Sequence, residues 1–437
     1  MQPVPLLREL LRVDTTNPPG NEGPAAELLE SALRSAGLDT YIHKSSAGRP
    51  SILARIDGPT DVPALVLVSH TDVVAVEREG WSCDPFGGEE SEGCIWGRGA
   101  LDMKSVAVMH AAACAAIASS GKTPTREIVF MSVADEEAGG SEGAAAVLEE
   151  VPDKVGFSDG RPPPEALGEG AFGLSGVIDR PIMPIVVAEK AVLWLDLAAS
   201  GDPGHGAMPP LDQANMNLVE MLAKIAGHGS PRVHPVMKEQ FRILAEHASG
   251  PRKAVFKALA SAAAAPVANA LKKPLRAQGA MAALLSDTLT PTRIEAGYKH
   301  NVVPAEASAS LDCRLLPDTD IPRLLRRLSR MGAKQGVKVR EVSRHSSPVS
   351  RPGRLYELIE QVSQRLPERP VPVPSLTPGM TDLRYLRQRG ATAYGWVPLV
   401  LTQEQLATVH AHDEHVEVEP FLRAVDAMSE VVLAAST

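Results

Sequence analysis

The stretch from Ile128 to Gly140, IVFMSVADEEAGG, most narrows what this chain can fold into. Its apolar run (Ile128, Val129, Phe130, Met131, Val133) is bounded by charge and glycine, which predicts a buried, parallel strand. Asp135, Glu136 and Glu137 follow directly. Three consecutive carboxylates at the end of such a strand repel one another, and desolvation adds to the cost. A bound cation is the usual compensation. On this reading Glu137 binds a metal and Glu136 handles protons beside it. The competing reading is a solvated acidic turn. The choice depends on whether the rest of the chain supplies further ligands.

Residues 64–69, ALVLVS, form a second continuous apolar strand, and His70, Thr71 and Asp72 stand at its carboxyl end. Residues 4–13 and 22–37 have amphipathic helical spacing, the second closed by Gly37. Residues 51–56 alternate as a strand, 77–99 read as loop, and an Ala-rich helix begins at Lys104. Strands alternating with helices predict an α/β fold: a mostly parallel, mixed sheet flanked by helices, with chemistry at the carboxyl ends of strands. Residues 151–164 are polar and Pro-rich, 166–172 carry a lone Glu169 between glycines, and 184–190 are a short strand. Composition then shifts. Strands at 191–199, 288–296, 305–314 and 337–342, with helices at 216–225 and 321–336, give the order β-α-β-β-α-β of an α+β ferredoxin-like sandwich. We therefore expect a catalytic domain of 1–189 and 347–437, interrupted by a lid domain of 190–346. Within the lid, 234–287 is an Ala- and Lys-rich helical insertion with no legible chemical signal. The chain returns through a helix at 356–366, a Pro-rich link, a helix at 382–389, a strand at 391–396 and a polar cluster at 409–414.

At 437 residues two domains are expected. A net charge of -9, with no basic run, argues against nucleic acid as a partner. The first twenty residues have no apolar core of a signal peptide, and no run of about 18 apolar residues could span a membrane. Cys83, Cys94, Cys114 and Cys313 lack CxxC spacing and read as reduced thiols of a cytoplasmic protein. Aromatic residues are only 4%, so no aromatic-lined pocket is expected.

The polar groups at the strand ends are His70, Asp72, Asp102, Glu136, Glu137 and Glu169, with His410 far downstream. Imidazole and carboxylate ligands without thiolate suit zinc, manganese or cobalt. Two histidines and three carboxylates exceed the needs of one tetrahedral zinc. They suit two ions about 3.5–4 Å apart that share a bridging carboxylate.

The blocks Ser69-His70-Thr71-Asp72-Val73-Val74, Trp96-Gly97-Arg98-Gly99-Ala100-Leu101-Asp102-Met103-Lys104 and Asp135-Glu136-Glu137-Ala138-Gly139-Gly140 are similar to signatures of the co-catalytic zinc peptidase family. That family includes aminoacylase, carboxypeptidase S, acetylornithine deacetylase, succinyl-diaminopimelate desuccinylase and glutamate carboxypeptidase. The resemblance continues in order through Gly168-Glu169-Gly170, Gly204-His205-Gly206, Asn301-Val302-Val303-Pro304, Asp312-Cys313-Arg314, Gly379-Met380-Thr381-Asp382 and the cluster ending at Glu414. The carboxypeptidase S and aminoacylase branch is nearest.

The resemblance implies that His70 and Glu169 bind one zinc, Glu137 and His410 the other, and that Asp102 bridges them. Asp72 would orient His70, and Glu136 would be the general base. A cis peptide is implied after Asp102. Glu165 competes with Glu169, and His412 and His415 crowd His410. His205 resembles a histidine that reaches a neighbouring subunit's site to stabilise an oxyanion, which implies a homodimer through the lid. Asn301 and Arg314 resemble substrate contacts, with Gly379 and Thr381 as further donors to a substrate carboxylate. Arg384 competes for that carboxylate, and the competing reading of Arg314 is a structural partner of Asp312. The implied reaction is hydrolysis of an amide beside a free carboxylate, in an N-acyl amino acid or small peptide. Ureido, carbamoyl or succinyl bonds are the alternative. A non-catalytic binding relative would lack Glu136 or Asp102, and both are present.

Overall fold

The two continuous apolar runs lie side by side as parallel strands inside an eight-stranded sheet. The structure is a computed structural model and describes residues 1–229, 231–262, 264–270, 279–346 and 348–437. Positions 263 and 271–278 of the expected insertion, and the expected boundary position 347, lie outside the described residues.

In chain order the strands are β1 (Asp39–Lys44), β2 (Pro50–Ile56), β3 (Leu65–His70), β4 (Glu89–Ser91), β5 (Cys94–Trp96), β6 (Ile128–Val133), β7 (Glu165–Leu174) and β8 (Ile182–Glu189). Then follow β9 (Ala191–Ser200), β10 (Gly204–His205), β11 (Gly227–His228), β12 (Thr288–Ala296), β13 (Val302–Val303), β14 (Glu306–Leu315) and β15 (Val337–His345). The last are β16 (Val371–Thr377), β17 (Thr392–Leu401) and β18 (His415–Glu417). The large sheet runs β1-β2-β6-β3-β7-β17-β8-β16. β6, β3, β7 and β17 are mutually parallel, as are β8 and β16.

Every residue of β3 and β6 is buried because helices cover both faces. Leu65, Leu67 and Phe130 point into a core shared with the helices Pro3–Arg12, Lys104–Ser119 and Val418–Ser436. Val66, Val68 and Met131 point the other way, toward the helix Leu383–Gln388. This packing places the ends of β3 and β6 at one rim, with the polar residues beyond them.

Three features differ from the sequence expectation. The segment read as a Pro-rich link contains β16, which carries Pro372 and Pro374. β16 is the edge strand and pairs only with β8, so its missing N–H groups break no interior ladder. The segment read as loop contains the hairpin β4–β5, and β18 joins it as a third strand. A C-terminal helix, Val418–Ser436, buries Phe421, Met428 and Val432 against the main core and had not been expected.

The second sheet runs β11-β12-β14-β9-β15 and is antiparallel throughout. Leu193, Leu195 and Leu197 of β9 pack under the helices Ala214–Ile225 and Ile321–Ala333, while Trp194, Asp196 and Ala198 face the other side. The helical insertion has a structural task. Met237, Phe241 and Leu244 of the helix Pro235–His247 share a core with Val371, Val373 and Leu376, so the insertion covers the edge strand β16. Among the described residues no helix is long and apolar enough to cross a membrane.

His110, in the helix Lys104–Ser119, is fully buried, and neither ring nitrogen has a hydrogen-bond partner among the described residues. Burial pushes its pKa down to about 3. The folded state therefore holds a neutral imidazole, while the unfolded chain takes up a proton near 6.5. The resulting stability is complete above that value and falls as the pH drops toward 3, by ~1.4 kcal/mol per pH unit. His110→Leu should flatten this slope. Urea midpoints at pH 7 and pH 5 for both proteins test it, and an unchanged pH dependence in the variant would refute it.

Candidate metal centre

His70 is the last residue of β3, and the chain beyond β6 is folded to meet it. Asp135 adopts a left-handed backbone, φ 69°, which turns the chain sharply at the strand end. The N–H groups of Glu136 and Glu137 then donate to the two oxygens of Asp72, at 3.1 and 3.0 Å. Asn17 adds a third hydrogen bond to Asp72 at 2.8 Å. Burial acts to raise the pKa of Asp72, but His70 and these donors outweigh it and hold the group ionised. Asp72 Oδ1 lies 3.4 Å from His70 Nδ1, and the Asp72 carbonyl lies 3.0 Å from the same nitrogen. The ring's Nε2 is left facing the site.

A second buried acid shapes the neighbouring loop. Glu414 Oε1 accepts from the N–H groups of Gly99, Leu101 and Asp102 at 3.2, 2.8 and 3.0 Å. Its other oxygen accepts from Arg98 at 2.5 Å. Glu414 thus ties the loop before Asp102 to the segment that carries His410, and the Asp102–Met103 peptide is cis. Glu169 projects from β7 where Gly395 of β17 lies against it. A Cβ on Gly395 would stand 2.3 Å from the Glu169 carbonyl.

These supports bring five side chains together. His70 Nε2 lies 3.2 Å from Asp102 Oδ1 and 3.8 Å from Glu169 Oε2. His410 Nε2 lies 3.1 Å from Asp102 Oδ2 and 3.2 Å from Glu137 Oε1. Two groups of possible metal ligands result, His70-Asp102-Glu169 and Asp102-Glu137-His410, and Asp102 belongs to both. Glu136 Oε2 lies 3.9 Å from His70 Nε2. Glu137 Oε1 is buried and, among the described residues, has no hydrogen-bond partner despite its closeness to His410. A buried acceptor aimed at an imidazole nitrogen without bonding to it fits a cation held between the two.

The charges strain against one another. Burial, followed by the Glu169 charge, raises the pKa of Glu136 well above the carboxylate range. Glu169 is pushed up to about 7, chiefly by burial. Burial acts to lower His70, but Asp102, Asp72 and Glu169 outweigh it and raise it well above its usual value. Contacts with Asp102 and then Glu137 raise His410 to about 10. The surrounding carboxylates thus favour the protonated, cationic form of both imidazoles.

The alternatives separate clearly. Glu165 sits at the opposite end of β7, paired with Arg126 at 2.6 Å. A Cβ at Gly80 would meet the His412 ring at 2.3 Å, and His415 stacks on Trp96 at 4.3 Å. The first of the three strand-end acids faces away from the site. Asp135 accepts from Arg49, Asn17, Ser141 and the Glu142 N–H.

Beside these side chains lies a cavity of about 730 Å³, lined by Asp102, Glu137, Glu169 and His410 and also by Glu136, Phe172, Trp194, Arg314, Gly379 and Thr381. Two aromatic residues thus line it, contrary to the expectation from composition. Thr381 donates its hydroxyl and its N–H to Glu189, at 2.7 and 2.9 Å, so it holds the loop rather than offering that hydroxyl to a ligand. Arg384 is occupied by the carbonyls of Thr381 and Gly139, at 2.9 and 2.5 Å, and does not line the cavity. His205 and Asn301 also lie outside it, on the β10–β13 ribbon, where the Gly206 N–H donates to the Asn301 carbonyl at 2.9 Å.

Sequence reasoning had assigned no role to Asn17, Arg98, Glu414 or Asp382. Glu414 and Asp382 lay inside quoted motifs. Asn17 lies in the turn TTNPPG, where nothing marks a contact with Asp72. Asp382 is buried, neither oxygen has a hydrogen-bond partner among the described residues, and burial pushes its pKa up to about 8.

A mostly parallel sheet whose rim gathers two imidazole–carboxylate groups around one aspartate, beside a second antiparallel sheet, defines a metallohydrolase. The chain belongs to Peptidase family M20/M25/M40, whose family model matches residues 66–434. It is similar to Aminoacylase-1 of Mus musculus, 28% identical over 437 aligned residues, covering 97% of this chain and 92% of the relative. It is also similar to the N-fatty-acyl-amino acid synthase/hydrolase PM20D1 of Mus musculus, 28% identical over 389 residues, covering 85% of this chain and 74% of the relative. Among solved structures, the M20 family metallo-carboxypeptidase Sso-CP2 from Sulfolobus solfataricus shares the fold. Its TM-score is 0.75 at 17% identity, over 99% of this chain and 98% of that one.

Metal binding should therefore expel protons. His70 and His410 are protonated without metal, and a divalent ion requires their neutral form. Zinc affinity should rise with pH through neutrality. Calorimetric titration of metal-free protein with zinc, in two buffers of different ionisation enthalpy, should show release of roughly two to three protons per pair of ions, two from the imidazoles and a further fraction from Glu169. A buffer-independent heat would contradict this.

Proposed function

We propose that this chain hydrolyses the amide bond of an N-acyl amino acid or short peptide with a free carboxylate, using two zinc ions per subunit. Cobalt or manganese would suit the same ligands. The observation that carries this reading is the position of Asp102, within 3.2 Å of both imidazoles, with Glu136 alongside. His70 and Glu169 would hold one ion, Glu137 and His410 the other, and Asp102 both. Bound there, the ions would polarise the scissile carbonyl and acidify the attacking water.

Glu136 then has two tasks. It takes a proton from that water and later delivers it to the leaving amine nitrogen. Burial and the Glu169 charge raise its pKa, and cations held beside it would lower that value again and leave the carboxylate free to accept a proton. Asp72 keeps His70 oriented and binds the backbone of Glu136, so one residue aligns a ligand and the base.

The cavity supports the substrate class. Phe172, Leu174, Val397, Leu406 and Val409 give it an apolar wall on the side of β7 and β17, suited to an acyl chain. The PM20D1 relative is named for N-fatty-acyl amino acids, and such an acyl chain would suit this wall. Arg314, from the lid, would bind the substrate carboxylate, with the Gly379 loop beside it. All four cysteines are free, which suits a cytoplasmic enzyme.

Glu136→Gln should retain zinc and lose about 10²–10⁴-fold in turnover of N-acyl amino acids. Retained turnover in the metal-loaded variant would remove Glu136 from the mechanism. His205 and Asn301 would reach a site only on a second copy of the chain, so we further propose a homodimer through the lid. Light scattering on the eluted protein should give twice the chain mass. A monomer that is fully active would end that proposal and the role of His205 with it.

A further inference from the structure

The lid contributes more to the cavity than one cation. Trp194 is 42% exposed, on a sheet face otherwise occupied by Asp196, Ala198, Ser308 and Ser310. It stands directly opposite Asp312 in the register of β9 and β14. Its indole N–H donates to Asp312 Oδ1 at 3.2 Å. Arg314, two residues further along β14, shares that face and donates from Nε to both Asp312 oxygens, at 3.0 and 3.1 Å. Both bonds leave from Nε, so among the described residues the two terminal nitrogens have no hydrogen-bond partner. On the other side of β9, β15 bulges between Glu341 and Ser343, and Ser343 pairs with Trp194. Bulges at such places re-aim the side chains beside them. Trp194 and Arg314 both line the cavity that holds Asp102, Glu136, Glu169 and His410.

We propose that Asp312 is a positioning residue that fixes Trp194 and Arg314 as one unit, and that Trp194 thereby selects substrates with an apolar side chain beside the carboxylate. The inference rests on the hydrolase reading above and adds the amino-acid half of the substrate to it. The free ends of the Arg314 guanidinium offer a carboxylate two parallel hydrogen bonds. In an amino acid the side chain leaves the same carbon as the carboxylate, so it must lie close to that guanidinium. Diagonal neighbours on adjacent antiparallel strands, as Trp194 and Arg314 are, stand roughly 7–8 Å apart. The indole face therefore covers the position such a side chain would take. Glycine would leave that face bare, and phenylalanine or leucine would bury against it.

The test compares kcat and KM for N-acetylphenylalanine and N-acetylglycine, using the zinc-loaded full chain as wild type, Trp194→Ala, Trp194→Phe and Asp312→Asn. Trp194→Ala should raise KM for N-acetylphenylalanine about tenfold or more and change N-acetylglycine by less than about twofold. Trp194→Phe should restore most of the preference. Asp312→Asn should raise KM for both substrates with kcat nearly unchanged, because it loosens the carboxylate-binding unit without touching the reacting atoms. An equal effect of Trp194→Ala on the two substrates, or no effect, overturns the proposal. Should that variant fail to fold, unchanged KM values in Asp312→Asn overturn it independently. If wild type cleaves neither substrate, the N-acyl amino acid reading falls and this inference with it. If wild type cleaves both and the variants keep its selectivity, only this inference falls.

Discussion

Carboxylates held together in a buried place require positive charge among them, and most of this molecule's architecture serves that requirement. Asp102, Glu136, Glu137 and Glu169 converge from three separate stretches of chain, with only His70 and His410 between them. In a low-dielectric setting like charges at such distances cannot all stay ionised without a counter-charge. The same crowding raises the pKa values of Glu136, Glu169 and both imidazoles. On the proposed reading, two divalent ions would meet this demand and leave Glu136 free to act as a base.

The site is held by acids that face backbone rather than metal. Asp72 binds the N–H groups of Glu136 and Glu137, and Glu414 binds those of Leu101 and Asp102. Each carboxylate fixes the position of the residue it supports through the main chain, which leaves the supported side chain unencumbered. Charge-assisted bonds to N–H groups are shorter and stronger than neutral ones, so two buried acids suffice to shape two loops.

How much of this was legible follows from where the information sits. The strands β3 and β6 were visible because both faces are buried, so their sequences are unbroken apolar runs. The motif blocks pointed to His70, Asp102, Glu137, Glu169 and His410, and these are the side chains that converge. β16 was not visible because its prolines read as a linker, and only its place at the sheet edge makes them tolerable. The covering role of the insertion was hidden for a related reason. Its helices bury Phe241 and Leu244 against a strand more than a hundred residues downstream, and helical periodicity carries no record of the partner. The tie between Asn17 and Asp72 is of the same kind, a contact across the chain between two common residue types.

The two sheets divide the chemistry between them, and their difference in kind explains the division. A parallel sheet buried on both faces gathers residues only at its rim, where strand ends converge on a point. That geometry suits ions and a base, which must be held to fractions of an ångström. An antiparallel sheet with one open face displays residues along its strands at alternate positions, as Trp194, Asp312 and Arg314 are displayed. That geometry suits a surface laid against a substrate, where one position can be exchanged without disturbing its neighbours. Altered specificity in such a molecule should therefore arise on the lid face, while the rim of the large sheet admits little change.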